Sequence, residues 1–349
     1  MISEFRVLNW RSFERARLFF DRKNLLVGVN GSGKSNLLEA LGFLGLLRSF
    51  RTARINELVR HEANSFHLRG VWQESGSQST LEVAVSNSNE RLLTVNGGRE
   101  RSGRDFIRHY FPVIFAPEDM ETVCGAPGVR RRFFDMVACQ LSAGYVNILH
   151  DYLSALKLRN MLLKSPRKAD PAKLEIYEEL MAESAAELTL RRSKFIEEFN
   201  RMLAAIAPEN KETVSVEYHP QCSDGAAAYA EAFARSRRRE MEKRTTLTGC
   251  HLDDYRFFLG KQAMRGFASN GQNRMAALNS KLAASRMLMQ NHGAEKLVAL
   301  IDDVTGELDQ RHQAMFFDTI APAGQMFFTC TSIPDGGFFK DAKVHNLPL

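Results

Sequence analysis

The sequence is poor in the features that mark a secreted or membrane-embedded chain. Its 349 residues include only five cysteines, Cys124, Cys139, Cys222, Cys250 and Cys330, scattered and without a C-x-x-C pair. An odd, dispersed set excludes a disulfide framework and the paired ligands of a zinc site, and it suits a reducing compartment. Long hydrophobic runs are also lacking: residues 37–47, the longest, contain Glu39 and fall well short of a bilayer span. The opening residues alternate like a strand and carry no signal-peptide core. Neither repeats nor low-complexity tracts occur. A large excess of one charge is also lacking, with 47 Lys and Arg against 41 Asp and Glu. The small positive excess leans toward anionic partners such as nucleic acid but decides nothing alone. The expectation is a soluble cytoplasmic protein with no membrane partner.

What is present is concentrated in residues 27–47. The apolar stretch Leu25-Leu26-Val27 runs into Gly28-Val29-Asn30-Gly31-Ser32-Gly33-Lys34-Ser35, and Asn36-Leu37-Leu38 opens an apolar-striped helix. Strand, glycine-rich turn and helix in that order make a phosphate-binding loop. Glycine lets successive backbone N–H groups converge on an anion at a helix N-terminus. Asn30, Gly31, Ser32, Gly33, Lys34, Ser35 and Asn36 form the expected cradle for ATP. Lys34 would reach the β- and γ-phosphates, and the Ser35 hydroxyl would hold Mg²⁺. Such a loop does not by itself separate a kinase, a GTPase, a motor and a DNA-repair ATPase.

Around it the sequence predicts strands at residues 2–8 and 16–20, then a meander over residues 66–73, 80–85 and 91–95 with Asn96-Gly97 as a turn, and an apolar strand at 112–115. Arg48, Arg51 and Arg54 follow the loop helix, where each serves equally well as a phosphate contact or as a solvated helix end. From Arg130 apolar residues recur at helical spacing to Leu163, with a break near Ser142-Ala143-Gly144. The pattern resumes from Leu174 to Leu203 after Pro166 and Pro171 and stops at Pro208. Two long helices in an antiparallel hairpin are the simplest reading, each arm reaching roughly 50 Å if unbroken. Arg130, Arg131, Arg132, Arg237, Arg238 and Arg239 lie on this inserted lobe. They read either as solvated helix faces or as a basic surface for a DNA backbone.

The second half of the expected site comes later. Ser269-Asn270-Gly271-Gln272 opens another helix and offers a hydroxyl, a close backbone approach and a positive dipole end to an anion, although a plain tight turn would look similar. Residues 297–301 form an apolar strand ending in Asp302-Asp303. That is a Walker B strand, in which Asp302 would hold the Mg²⁺ shell and Asp303 would orient or deprotonate the attacking water. Loop, Ser-x-Gly-Gln helix, Walker B and the acidic stretch Glu307-Leu308-Asp309 follow the order of an ABC-type ATPase, in which the signature serine completes the site of a second subunit. A transporter-type ATPase subunit shares that order but predicts a compact helical lobe and a membrane partner.

With these motifs, and with Arg48-Ser49-Phe50-Arg51-Thr52, Phe115-Ala116-Pro117-Glu118-Asp119, Gly125-Ala126-Pro127, Arg130-Arg131-Arg132-Phe133, Gly249-x-His251-x-Asp253-Asp254 and Phe267-Ala268-Ser269, the chain resembles the RecF family of SMC-like bacterial replication and repair ATPases over nearly its whole length. It departs from the family pattern at Cys250, Leu252 and Asn270. The resemblance implies an ATP-dependent homodimer that binds double-stranded and gapped DNA, works with RecR and RecO, and loads RecA. It also implies a weak, DNA-stimulated ATPase, with Glu118 in the place of the Q-loop glutamine and Thr331 in that of the switch histidine. An SMC-like ATPase subunit of a DNA-sensing defence system is the other reading. The expected fold is α/β, an ABC/SMC-like ATPase head of mixed sheet and flanking antiparallel strands with an inserted helical lobe. The divisions expected are 1–117 for the N-terminal half of the head, 118–244 for the helical lobe and 245–349 for the C-terminal half.

Overall fold

The computed structural model describes residues 1–74, 76–165, 170–206, 213–303, 308–334 and 337–348. Strands β1 (Ile2–Trp10), β2 (Phe13–Phe19) and β3 (Lys23–Val27) lead to helix α1 (Lys34–Leu46). Strands β4 (Ser65–Glu74), β5 (Ser77–Ser86), β6 (Arg91–Val95) and β7 (Gly98–Glu100), the single turn α2 (Gly103–Phe106) and β8 (Phe111–Phe115) follow. The middle of the chain forms α3 (Glu121–Cys124), α4 (Pro127–Leu141), α5 (Ala143–Lys164), α6 (Pro171–Ile206), β9 (Val214–His219), α7 (Gly225–Lys243), β10 (Asp254–Leu259) and β11 (Gln262–Ala263). Helix α8 (Asn270–His292), β12 (Leu297–Asp302), α9 (Gln310–Ile320), β13 (Gln325–Cys330) and β14 (Lys343–Asn346) complete it.

Two compact units divide the chain, one of residues 1–118 and 284–349 and one of residues 119–283. The first carries two sheets. One is wholly parallel in the order β14-β3-β13-β12-β8, and the other is antiparallel in the order β2-β1-β4-β5-β6-β7. Helix α1 packs on strands of both sheets, and its Leu37, Leu38, Leu41, Phe43 and Leu44 lie in the same core as Phe5, Trp10, Phe66, Leu300 and Phe327. Covered on both sides, it is apolar nearly all round rather than on one stripe. The parallel strands, covered likewise, are continuous apolar runs: every residue of β8 and residues 297–301 of β12 are buried.

In the second unit the break expected near residue 142 is present. Ser142 ends α4 and caps α5, its side chain accepting a hydrogen bond from the Tyr145 amide. Helix α6, at 36 residues, is the long arm. The expected turn residue Pro166 and stop residue Pro208 lie outside the described residues. An aromatic group, Phe133, Phe134, Phe195, Phe199, Tyr255 and Phe257, joins α4, α6 and β10.

The elements here that were not expected include the strands β9 and β10 and the helix α7. They bear on the domain division: β10 pairs with β9, Arg192 of α6 bonds Asp253, and Arg130 of α4 bonds Asp254. Residues 245–283 therefore cluster with the inserted lobe, and compactness divides the chain at 283/284 rather than 244/245. Among the described residues no helix is long and apolar enough to cross a membrane.

Candidate nucleotide site

The loop after β3 has glycine where backbone demands it. A Cβ on Gly28 would sit 2.5 Å from the Leu347 carbonyl oxygen and 2.6 Å from Ser32 Oγ. Gly33, the N-cap of α1, has φ of 96° and so occupies the left-handed region that other residues enter at a cost. Between them Gly31 has φ of 83° and open space around it. Lys34 begins α1 and folds back over the loop, donating from Nζ to the carbonyl oxygens of Gly28 at 2.5 Å and Val29 at 2.9 Å. Ser32 Oγ is buried with no hydrogen-bond partner among the described residues.

Parallel pairing brings the distant acid to this loop. Register sets Asp302 of β12 opposite Thr329 of β13, and β13 pairs on its other side with β3. Asp302 Oδ1 accepts hydrogen bonds from Ser35 Oγ at 2.9 Å and Thr329 Oγ1 at 2.8 Å. The Asp303 amide donates to Thr329 Oγ1 at 3.0 Å, and Asp303 itself is exposed with φ of 53°. All of these groups gather at the carboxyl ends of parallel strands, where open α/β sheets bind their ligands. Glu118 follows the end of β8 and is exposed, and Thr331 is exposed just past β13. Glu307 of the expected acidic stretch lies outside the described residues.

Asn36, expected to hold nucleotide, is engaged with protein on both sides of its amide. It donates to Ser12 Oγ at 3.0 Å and accepts from Arg51 Nη1 at 2.9 Å. One turn on, Glu39 is fully buried and takes both Nε and Nη2 of Arg11, at 2.9 and 2.8 Å, together with Ser49 Oγ at 2.5 Å. Ser49 Oγ also accepts from the amides of Arg51 and Thr52. Periodicity makes Glu39 a mere interruption of an apolar run. Its partners, Arg11 and Ser49, lie too far away in sequence for spacing to reveal them.

The other expected half of the site belongs to the second unit. Ser269 and Gln272 form a capping box at the start of α8: the Ser269 amide donates to Gln272 Oε1 at 2.8 Å and the Gln272 amide to Ser269 Oγ at 3.2 Å. Ser269, Asn270, Gly271 and Gln272 are all exposed.

The family model described as RecF/RecN/SMC N terminal domain matches residues 1–345. The DNA replication and repair protein RecF of Geobacillus kaustophilus is 33% identical over 340 residues, spanning 93% of this chain and 91% of that one. Its counterpart in Streptococcus pneumoniae is also 33% identical, spanning 93% and 90%. The chain belongs to the RecF family. Among solved structures it is similar to the recombination mediator protein RecF-ATP in the RecFOR pathway, with a TM-score of 0.89 at 27% identity over 99% of this chain and 95% of that one. A second RecF structure, with ATPrS, gives 0.86 at 28% identity over 99% and 96%.

For a RecF chain the basic residues of the inserted unit are of direct interest, and the structure separates them. Arg130 is buried and forks onto Asp254 at 2.8 and 3.0 Å, while its Nη1 donates to the Gly125 carbonyl. Arg131 Nη1 donates to the Asp253 carbonyl at 2.6 Å. Arg237 is spent on Glu178, with Nη2 to Oε2 at 2.5 Å. Three of the six expected DNA contacts are thus taken by protein acceptors, because carboxylates and carbonyls far away in sequence fold against them. Arg132, Arg238 and Arg239 are exposed.

Cys250, His251 and Asp253 of the Gly249-Cys250-His251-Leu252-Asp253-Asp254 motif are likewise engaged with the interior, whereas Leu252 is exposed. Asp253 is fully buried and accepts from Arg192 Nη1, the Tyr218 hydroxyl and the Gln221 amide. His251 Nδ1 meets the Tyr152 hydroxyl at 2.6 Å, and burial lowers its pKa to about 4. Burial likewise raises the Cys250 thiol to about 12, which leaves it protonated and unreactive at neutral pH.

Proposed function

We propose that this protein is an ATP-dependent DNA-binding protein of recombinational repair and replication-fork maintenance, active in the cytoplasm. ATP would join two copies head to tail, the loop of one facing the Ser269 helix of the other. The observation that carries this reading is the 2.9 Å contact of Ser35 Oγ with Asp302 Oδ1, a hydroxyl and a carboxylate drawn from opposite ends of the chain to the phosphate-loop helix.

The residues suit the group they would hold. Hard oxygen donors few in number, with phosphate completing the shell, are what Mg²⁺ takes, and Ser35 and Asp302 supply that kind of set. The metal would neutralise charge developing on the transferred phosphoryl group. Lys34, whose ammonium rests on two loop carbonyls, would give its charge to the β- and γ-phosphates. Asp303 would orient or deprotonate the attacking water, and Glu118 would stand beside it. Because each ATP bridges two chains, its greater affinity for the dimer is what closes the assembly. Closure would bring the inserted units onto duplex or gapped DNA. In that state DNA would stimulate a weak ATP hydrolysis, and the site would pass to RecR, with RecO and RecA downstream. The RecF relatives and the RecF-ATP structure support this reading, and five free cysteines suit a reducing compartment.

Two variants test it. Lys34→Ala should abolish ATP hydrolysis with and without gapped DNA. Ser269→Arg should bind a fluorescent ATP analogue normally yet remain a monomer by light scattering. Normal dimerisation of Ser269→Arg refutes the bridged site.

A further inference from the structure

Two of the most exposed large apolar side chains lie in the two motifs that the proposed dimer brings together. Val29, in the phosphate loop, is 72% exposed, and Phe267, two residues before Ser269, is 73% exposed. Neither is on a floppy segment. The Val29 carbonyl accepts from Lys34 Nζ and from the Ser32 amide, which fixes the backbone beneath the side chain. The amides of Phe267 and Ala268 both donate to the Met264 carbonyl, at 3.1 and 2.9 Å. Phe267 also rims a cavity of about 130 Å³ that is open to solvent on one side, walled by Leu259, Gln262 and Ala263 of the β10–β11 hairpin, by Met264 and Ala268, and by Gln272 of α8. A cavity of about 150 Å³ lodges a benzene ring, so this one has room for an isopropyl group.

We propose that Val29 of one copy seats in the Phe267 cavity of a second copy, making an apolar lock beside each bridged nucleotide. This inference rests on the ATP-bridged dimer proposed above and names the contact that gives it specificity. A knob and a hole that are both held rigid before they meet lose little conformational freedom on joining. A two-fold assembly makes the contact twice. The occupant is a second copy of this chain rather than another protein, because the cavity adjoins the cap of α8, the same surface that the bridged site requires to face a phosphate loop.

The test mixes two differently tagged preparations, one carrying Val29→Cys and the other Phe267→Cys, both with Asp303→Asn to stop cleavage. A short bismaleimide is added with ATP and Mg²⁺ or with ADP and Mg²⁺, and linked peptides are identified by mass. The expected result is a link between positions 29 and 267 of different chains, at least about tenfold stronger with ATP. Preparations lacking the new cysteines control for Cys330 and the other native thiols. Light scattering runs alongside. A dimer without that link overturns the lock and leaves the bridged dimer standing, whereas no dimer at all overturns both. Independently, Phe267→Asp should weaken ATP-dependent dimerisation by at least roughly a hundredfold, since the lost burial counts twice, while binding of a fluorescent ATP analogue persists. Wild-type dimerisation by Phe267→Asp would also overturn the lock.

Discussion

Glu39→Gln replaces one carboxylate oxygen by an amide nitrogen and should disturb the nucleotide-binding unit as strongly as a large core truncation. Its carboxylate is fully buried on α1 and holds the Arg11 fork with both oxygens, while Ser49 Oγ shares one of them. Glutamine keeps the size but turns an –NH₂ toward donors and leaves the guanidinium charge without its counterion. Breaking a buried pair from one side costs about 3–5 kcal/mol. The Arg11 side chain is 20% exposed, so water recovers part of that and about 2–4 kcal/mol remains. The assay is urea unfolding of the unit formed by residues 1–118 and 284–349, with hydrogen exchange over residues 34–52 to locate the loss. Arg11→Met combined with Glu39→Gln should cost far less than the sum of the two single variants, a coupling of roughly 1–3 kcal/mol. Because Ser49 also holds the amides of Arg51 and Thr52, exchange should rise there too. Wild-type stability in Glu39→Gln, or strict additivity in the double variant, refutes the assignment of Glu39 as the hub of this corner.

Three further outcomes are expected. Between about pH 4 and 6.5 His251 is neutral in the folded chain and protonated in the unfolded one, so unfolding takes up a proton and stability falls as pH drops through that window. His251→Phe should flatten the fall in urea midpoint between pH 7 and 5. Arg132→Ala, Arg238→Ala and Arg239→Ala should each lower DNA affinity and reduce the salt slope of binding by about 1, whereas Arg130→Ala should chiefly lower the melting temperature, because Asp254 then loses its fork. Asp302→Asn keeps the shape that Ser35 and Thr329 bond, so it should leave the ligand-free melting temperature close to wild type and remove the gain that Mg²⁺ adds to ATP affinity in calorimetry.

Legibility in the sequence followed the range of the interactions. The phosphate loop and its helix, the meander and the strand ending in Asp302 and Asp303 are set by local order and periodicity, and each is where the residues placed it. Thr329 was invisible because only strand register sets it opposite Asp302. Arg130 and Arg237 read as surface charge because their acids lie 124 and 59 residues away. Helix α7, rich in alanine and arginine, buries few side chains and so lacks a strong apolar stripe. Strand β9 is only six residues long. The serine of the Ser269 motif was read as an anion ligand, and its hydroxyl in the structure accepts the Gln272 amide, a role that the S-x-x-Q spacing itself encodes.

The neighbours of β3 bear on how the chain is made. This strand is made long before its neighbours, because both of its edges pair with strands from residues 325–346. Until those residues emerge, β3 has no partner in its own sheet, and its exposed edges are a hazard that a nascent protein must survive. Residues 119–283, contiguous in the chain, have all their pairing partners to hand much earlier. The sheet that carries the phosphate loop is thus finished only once residues 325–346 are made, and a product terminated before them would carry the arginine-rich helices beside an incomplete nucleotide site.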